Sequence, residues 1–322
     1  MDRRKALVLT GLAATTGATG MLAACGGSSD SVNLTPPASP PTPNIIELAK
    51  ATPNLSILVE AVVAADLAAT LSGAGPFTVF APTNDAFVAL LGELGVSKDA
   101  LLKDKPLLTA VLTYHVLGAK VEKANVPVGK AITTLQKGVF KVEAPGGVLT
   151  ITDGRNRTSK IIATDVQASN GVVHIIDKVI LPANKNIVET AQAAPNFSLL
   201  VEAVVAANLQ GTLSGAGPFT VFAPTNDAFV AALAELGVSK VALFANVPLL
   251  TKILTYHVVG ARVLKADIPA GPIATVQGET FTINPTFVLT DQRARLTNIT
   301  ATDLFTSNGV IHTINKVILP KA

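Results

Sequence analysis

The spacing of apolar residues divides each half of this chain into a helical part and a β part. In 55–71, residues such as Leu58 and Val62 recur at i, i+3 and i+4. This spacing is typical of a helix with one buried face, and it predicts a helix that Gly73 follows. A shorter helix is predicted over 44–50.

Short β-type and helical segments follow. Phe77 begins an apolar run of strand type that extends to residue 81, and Thr83 stands where a helix N-cap is expected. The next apolar positions predict one helix up to residue 94 and another from Ser97 toward His115.

After residue 116 the pattern changes to short apolar runs at 139–143, 148–152, 160–163 and 172–176, and turn dipeptides such as Asn170-Gly171 separate several of these runs. Asn-Gly between such runs predicts hairpins. Helices followed by a strand meander predict an α+β fold.

The whole pattern occurs twice. Residues 73–87 recur without change as 215–229, an offset of 142 residues. A unit of this length is a whole domain, so we predict domains over 44–183 (repeat 1) and 184–322 (repeat 2). Repeat 2 lacks the Pro-Gly-Gly turn of repeat 1, which predicts one shorter hairpin.

The first 43 residues have the character of an export signal and a tether. A basic start and a weakly apolar stretch lead to Leu22-Ala-Ala-Cys25, and a Gly/Ser- and Pro-rich segment follows. The four residues resemble a bacterial lipobox. We therefore expect a signal peptide over 1–24, a lipidated Cys25, and a linker over 25–43. Gly26, which is not Asp, favours the outer membrane or cell surface over inner-membrane retention.

Composition narrows the function. The chain is 49% hydrophobic and 15% charged, with a formal charge of +3. Two ordinary cores can be built from this material, and a nearly neutral surface gives no electrostatic reason to bind nucleic acid. Cys25 is the single cysteine, so no internal disulfide is possible.

Three ordered motifs, each present in both repeats, resemble the fasciclin-type domain: Phe-Thr-Val-Phe-Ala-Pro-Thr-Asn-Asp-Ala-Phe, Tyr-His, and Ser-Asn-Gly before the last apolar run. The resemblance implies a β-wedge with a helical layer, an extracellular or envelope setting, and adhesion to surface or matrix proteins or glycans rather than catalysis. The motif side chains expected to have structural roles are Thr83, Asn84, Asp85, Tyr114, His115, Asn170 and His174 in repeat 1, and Thr225, Asn226, Asp227, Tyr256, His257, Asn308 and His312 in repeat 2.

The histidines also allow an alternative function. A cleft lined by histidine would suit an envelope enzyme or small-molecule binder, and Ser169, His174 and Asp177 could form a triad on paper. His174 and Asp177 lie three apart on a predicted strand and should face opposite sides. Ligand spacing for a metal is absent from the sequence. We therefore predict no catalytic residue, no metal and no cofactor, and expect each histidine to be hydrogen-bonded in a core.

The resemblance also implies candidate adhesion positions. Some animal members of the family bind integrins through an Asp-Ile pair just before the Asn-Gly turn. The matching positions here are Asp165-Val166 and Asp303-Leu304. We expect these side chains to be exposed in both repeats and to bind a partner together.

Overall fold

The computed structural model of this protein describes residues 41–269 and 271–321. The predicted signal peptide, the lipidation position Cys25 and most of the predicted linker lie outside the described residues.

Along the chain of repeat 1, three helices precede the first strand, three helices follow it, and the remaining strands come last. Its helices are α1 (Ile45–Lys50), α2 (Ser56–Ala64), α3 (Ala68–Ser72), α4 (Asn84–Leu94), α5 (Lys98–Lys103) and α6 (Lys105–Tyr114). Its strands are β1 (Phe77–Pro82), β2 (Val116–Leu117), β3 (Ala131–Thr133), β4 (Val139–Glu143), β5 (Thr150–Thr152), β6 (Thr158–Ala168) and β7 (Gly171–Ile176).

Repeat 2 follows the same order. Its helices are α7 (Ile187–Gln192), α8 (Ser198–Ala206), α9 (Gln210–Leu213), α10 (Asn226–Leu236), α11 (Lys240–Ala245) and α12 (Val247–Tyr256). Its strands are β8 (Phe219–Pro224), β9 (Val258–Val259), β10 (Gly271–Ala274), β11 (Thr280–Ile283), β12 (Val288–Thr290), β13 (Leu296–Thr306) and β14 (Gly309–Ile314).

Each repeat forms one seven-stranded sheet, ordered β2-β1-β7-β6-β5-β4-β3 in repeat 1 and equivalently in repeat 2. The strands after the helices form the expected antiparallel meander, but β1 pairs in parallel with β7, with Phe80 opposite His174. The long connection between them, which contains α4–α6 and β2–β6, makes this parallel pairing possible. The α+β class and the two tandem β-wedge domains with helices are confirmed.

Two of the predicted helices are each interrupted. The helix predicted over 55–71 divides into α2 and α3 because Asp66 has a left-handed backbone, with φ 59°. The helix predicted from Ser97 divides at Asp104, whose carboxylate accepts from the Leu107 amide (3.1 Å) and caps α6. Pro106 then stands in the first turn of α6, where the lost amide is tolerated.

Separate hydrophobic cores lie on the two sides of each sheet. In repeat 1 the helices bury Leu58, Phe87 and Leu112 against one side, while Phe140 and Ile151 fill the other. Repeat 2 has corresponding cores. Each core is built mainly from its own repeat, so each repeat has the interior that an independent domain needs.

The hairpins agree with the sequence expectation in length and differ from it in backbone conformation. The connection between β11 and β12 spans 284–287, against 144–149 between β4 and β5, so the hairpin of repeat 2 is indeed shorter. The Asn170-Gly171 turn joins β6 to β7, but neither residue has the positive φ of a mirror-image turn. Gly171 is required because a Cβ there would collide with the carbonyl oxygen of Phe77.

Candidate functional site

The Thr-Asn-Asp motif holds the start of α4. Thr83 caps the helix by accepting from the Ala86 amide (3.2 Å). The Asn84 side chain accepts from the Ile57 amide (3.0 Å) and donates to the Pro53 carbonyl oxygen (3.1 Å). The motif therefore ties the start of α4 to the segment that leads into α2.

The adjacent aspartate and the second copy of this motif fit the same pattern. Asp85 is exposed in the first turn of α4, where a negative charge complements the helix dipole. In repeat 2, Thr225 caps α10 and Asn226 accepts from the Leu199 amide (3.0 Å). Asp227 lies in the first turn of α10.

Tyr114 lies at the end of α6 with its side chain fully buried. Its hydroxyl donates to the Val139 carbonyl oxygen (2.7 Å) and accepts from the Gly154 amide (2.8 Å). Burial, with a smaller effect of the Asp153 carboxylate, raises the pKa of Tyr114, so the hydroxyl remains a neutral donor. Tyr256 makes the corresponding bond to the Thr280 carbonyl oxygen (2.9 Å).

His115 joins the helical layer to the chain beyond the last strand. Its Nδ1 lies 2.7 Å from the Val111 carbonyl oxygen, and its Nε2 accepts from the Ile180 amide (3.1 Å). Because a carbonyl only accepts and an amide only donates, the neutral ring with its proton on Nδ1 satisfies both partners. Burial lowers the pKa of His115 to about 4, which keeps the ring neutral near pH 7.

His257 repeats this arrangement in repeat 2. Its Nδ1 lies 2.8 Å from the Ile253 carbonyl oxygen, and its Nε2 accepts from the Ile318 amide (3.1 Å). Burial lowers the pKa of His257 to about 4 as well. Each of these two rings is fully committed to backbone partners and has no free nitrogen for a substrate.

The second histidine of repeat 1 holds a bulge in β6. Asp165 has a left-handed backbone (φ 59°), and the pairing register shifts beside it. Its amide donates to Nδ1 of His174 (3.3 Å), whose Nε2 donates to the Val121 carbonyl oxygen (2.8 Å). The Asp165 carboxylate accepts from the Lys123 amide (2.8 Å). The structure thus brings together a candidate adhesion residue and a motif histidine.

The same bulge in repeat 2 has an additional partner. The Asp303 amide donates to Nδ1 of His312 (3.2 Å), whose Nε2 donates to the Val263 carbonyl oxygen (2.8 Å). Burial lowers the pKa of His312. The Asp303 carboxylate accepts from the Lys265 amide (2.8 Å) and also from the Lys141 ammonium of repeat 1 (3.0 Å).

The paper triad does not form. Ser169 lies in the β6–β7 turn with its side chain exposed. Asp177 accepts from the Ser159 hydroxyl (3.0 Å) and the Lys160 amide (2.7 Å). Both nitrogens of His174 already have backbone partners, so the three side chains do not act together.

The asparagine before the last strand is a junction for three segments. Asn170 accepts from the Ile45 amide (3.0 Å) and donates to the carbonyl oxygens of Leu71 and Gly73 (both 2.8 Å). Asn308 makes the same three bonds in repeat 2. This residue fastens α1 and the end of α3 to the sheet.

A buried carboxylate that the sequence analysis did not select organises the β5–β6 turn. Asp153 accepts from the amides of Arg157 and Leu181 (2.9 Å each) and from the Arg157 guanidinium (2.9 Å). The second copy uses Asp291 and Arg295. The shared spacing Asp-x-Arg-x-Arg, kept where the surrounding residues differ, was the signal available in the sequence.

The two repeats contact each other through the bulged end of β13. Phe305 is buried with Leu264 and Val310 of repeat 2 against Val139 of repeat 1, and we name these four residues the inter-repeat cluster. The Asn156 side chain of repeat 1 accepts from the Phe305 amide (2.6 Å) and donates to its carbonyl oxygen (3.0 Å).

An ion pair lies beside the inter-repeat cluster. Lys141 and Asp303 have side chains that are only 9% and 2% exposed. Lys141 also donates to Glu143 (2.9 Å). Burial opposes the charged form of Lys141, but the hydrogen bonds to Glu143 and Asp303 prevail, and the pKa of Lys141 is raised. The ammonium is therefore charged and neutralises the buried carboxylate.

The adhesion positions are less exposed than expected, because one of the four side chains is buried and the other three are only partly exposed. Asp303 is buried between the repeats. Leu304 and Val166 are partly buried against the helix-side cores of their repeats. Asp165 is partly exposed, like Val166 and Leu304, and its carboxylate is the one at these positions that is not buried.

The described residues contain neither a membrane-spanning helix nor a metal-binding cluster. No helix within 41–269 or 271–321 is long and apolar enough to cross a membrane. Over the same described residues, no group of three His, Cys, Asp or Glu side chains is placed to hold a metal ion.

Comparison with known proteins gives the family. The Fasciclin domain model matches residues 53–182 and 195–320. The chain therefore belongs to the fasciclin domain family. Fasciclin domains occur in adhesion and extracellular matrix proteins, and members of the family are generally not enzymes.

Individual relatives come from bacteria and animals. Protein sll1483 of Synechocystis is 45% identical over 43% of this chain and 73% of its own length. Transforming growth factor-beta-induced protein ig-h3 of Sus scrofa is 29% identical over 78% of this chain and 35% of its own length, and human periostin is 28% identical over 79% and 28%. The chain thus spans about a third of each of these animal relatives.

Among solved structures, a FAS1 domain pair from the insect cell adhesion molecule fasciclin I is similar to this chain. The similarity covers 82% of this chain and 92% of that one, at 18% identity and a TM-score of 0.42.

Proposed function

We propose that this protein is a lipid-anchored component of the cell envelope that binds surface or matrix proteins or glycans through two non-catalytic domains. The observation that carries the proposal is the engagement of the motif side chains. Each histidine ring has a backbone partner at both nitrogens, and each motif asparagine joins separate segments. These residues hold the fold together, so function falls to the surfaces that the fold presents.

Family membership supports an exported setting. Relatives with fasciclin domains are secreted or extracellular proteins. The lipid anchor itself rests on the lipobox-like residues that end at Cys25, and the outer membrane rests on Gly26. The predicted linker would hold the two domains away from the lipid, which suits a partner on another surface.

The two candidate adhesion aspartates are not equivalent in the structure. Only Asp165 offers a carboxylate at the outer face, because the Asp303 carboxylate is bound to Lys141. The proposed surface is therefore centred on Asp165 and the neighbouring Gln167 and Glu122 of repeat 1, and it is single rather than paired. The Asp165 carboxylate on this bulge can accept charged hydrogen bonds from a partner.

The alternative of a histidine-lined cleft gains little from the structure. Apolar cavities of about 20 and 30 Å³ lie beside His115 and His257. Small-molecule sites usually have several hundred Å³, and these cavities have about the volume of one water molecule. They are packing defects between helices and sheet rather than substrate sites.

Two variants test the anchor and the surface separately. Cys25→Ser should move the protein from the membrane fraction to the soluble fraction, measured by fractionation and by the acyl mass of the mature protein. Asp165→Asn keeps the oxygen that accepts from Lys123 but removes the charge. It should reduce binding to wells coated with collagen or fibronectin, whichever binds the wild type.

The matched control is Asp99→Asn, an exposed aspartate in the first turn of α5. It should bind like wild type. Equal binding by the Asp165 and Asp99 variants would move the proposed surface elsewhere, and a wild type that binds neither coating would contradict the attachment function on these surfaces.

A further inference from the structure

A polar cleft of about 220 Å³ lies between the two repeats. Repeat 1 contributes Gln136 and Lys137 to its lining, and repeat 2 contributes Arg262, Thr306 and Ser307. The lining contains two cationic side chains and no carboxylate. The cleft exists only when the repeats are together.

Arg262 is the unusual member of this lining. Its Nε is buried without a hydrogen-bond partner among the described residues. No guanidinium nitrogen of Arg262 bonds to any side chain or carbonyl that the structure describes. Burial lowers the pKa of Arg262. A partly buried guanidinium without a counter-ion is costly, and an anion beside it would remove that cost.

The cation at the equivalent position of repeat 1 has the carboxylate partner that Arg262 lacks among the described residues. The counterpart of Arg262 is Lys120, whose ammonium pairs with Glu122 at 3.1 Å. The counterpart of Glu122 is Leu264, which is fully buried in the inter-repeat cluster. Repeat 2 has therefore kept the cation and replaced its carboxylate partner.

Lys137 gives a second, independent comparison. It lies in the turn before β4 with a left-handed backbone, φ 70°, and its counterpart in the same turn of repeat 2 is Gly278. Glycine adopts this conformation freely, whereas a lysine there has a backbone cost of about 1 kcal/mol. The cation thus stands where the backbone favours glycine, at the lining of the cleft.

Neutral donors complete the site. The Gln136 side-chain oxygen accepts from the Gly138 amide (2.9 Å), and its NH₂ group has no partner among the described residues. Ser307 of repeat 2 also lines the cleft. A guanidinium, an ammonium, an amide NH₂ and a hydroxyl are the donors with which proteins bind carboxylate, sulfate and phosphate.

We propose that the inter-repeat cleft binds an oxyanion group, with Arg262 as its main partner and Lys137 and Gln136 as further donors. The volume suits a single acidic sugar unit or an inorganic oxyanion. The proposal rests on the proposed function only in its choice of an acidic glycan as a source, because the cleft needs an anion whatever surface the protein binds.

A second cleft lined by residues of both repeats does not share these features. It is lined by Arg155 and Lys185, but Arg155 donates to the Pro182 carbonyl oxygen (3.4 Å) and lies near the carboxylates of Asp153 and Glu93. The guanidinium of Arg155 already has an acceptor among the described residues, unlike that of Arg262, so the oxyanion is assigned to the Arg262 cleft.

The test measures thermal unfolding and calorimetric titration of the full chain at low ionic strength. The probes are sodium galacturonate, neutral galactose, sodium sulfate and sodium phosphate. Galacturonate should bind and raise the unfolding temperature, and galactose should do neither. Arg262→Gln should weaken binding about tenfold or more, the loss of a charged hydrogen bond, and Lys137→Gly by less.

Lys120→Gln is the matched control, because it removes the corresponding cation from repeat 1 outside the cleft, and it should bind like wild type. Binding of sulfate or phosphate with the same dependence on Arg262, without galacturonate binding, would assign the site to an inorganic ion and still support it. No binding of any anion, or binding that Arg262→Gln leaves unchanged, would overturn the proposal. Neither result decides attachment through Asp165, which the coated-well assay measures separately.

Discussion

Among the described residues, the same face of the domain is uncovered in repeat 1 and covered in repeat 2. In repeat 1 the Asp165 bulge is bordered by Gln167, with its side chain exposed, and by the partly exposed Glu122. In repeat 2 the corresponding Asp303 bulge is bordered by Phe305 and Leu264, which are buried against repeat 1. The backbone, the histidine contact and the left-handed aspartate are the same in both.

This difference shows that a few side chains decide whether the face is a surface or an interface. Three pairs of equivalent positions differ at the contact. Glu122 and Gln167 of repeat 1 correspond to Leu264 and Phe305 of repeat 2, and Lys141 of repeat 1 corresponds to Thr282 of repeat 2. Apolar residues replace polar ones on the covered face, and a lysine supplies the charge that the buried aspartate requires. The polar face of repeat 1 lacks the apolar residues needed to add a further domain in the same way.

The largest loss of stability should follow removal of the lysine at the contact between the repeats. Lys141→Ala leaves the Asp303 carboxylate buried without its ammonium partner, and breaking such a pair costs about 3–5 kcal/mol. Urea or calorimetric unfolding should show this loss. Thr282→Ala, at the exposed counterpart in repeat 2, should change stability by less than about 0.5 kcal/mol. Similar losses for the two variants would mean that the ion pair contributes nothing special.

Acid should weaken both repeats in parallel. His115 and His257 have a pKa of about 4 in the folded protein and about 6.5 when unfolded, so their contribution is complete above pH 6.5 and is lost as the pH falls from 6.5 toward 4. Each ring accounts for at most about 3 kcal/mol of this loss. The measurement is the free energy of unfolding against pH, and His312 adds to the slope because its pKa is also lowered.

A variant distinguishes the histidines from other groups that titrate with acid. His115→Gln supplies a neutral amide in place of the ring, so the slope between pH 6.5 and 5 should decrease by about one proton relative to wild type. A slope that the variant leaves unchanged would show that His115 does not titrate as its buried position requires.

The smallest effect is expected at the uncovered face. Asp165→Ala removes a partly exposed carboxylate and its bond to the Lys123 amide, and should cost about 1 kcal/mol. Asp303→Ala removes the same residue from the covered face, where its bonds to Lys141 and Lys265 are lost, and should cost about 1.5–3 kcal/mol. Equal effects in the two repeats would contradict the distinction between a surface and an interface.

The sequence was sufficient where the signal was local or repeated. Thr83 as an N-cap, the strand beginning at Phe77 and the duplication of the whole domain all follow from short-range patterns, because caps and alternation depend on neighbouring residues. The order of helices before a strand meander predicted the α+β class, and the family motifs added the family, which the structure and the comparisons confirm.

Other features depended on contacts between distant residues. The single helix predicted over 55–71 was wrong because Asp66 adopts a left-handed backbone that periodicity does not register. The parallel pairing of β1 with β7 joins segments about 90 residues apart. The roles of Asp153 and Asn170 as hydrogen-bonding junctions also appear only when separate segments meet.

The sequence by itself determined that there are two copies of one domain, which family they belong to and which residues start their helices. The tertiary structure decided which copy of a shared motif is available to a partner. Asp165 and Asp303 occupy equivalent positions, yet one is at an uncovered face and the other is paired with Lys141, 162 residues earlier in the chain. Exposure is a property of what packs against a residue, and no local pattern contains that information.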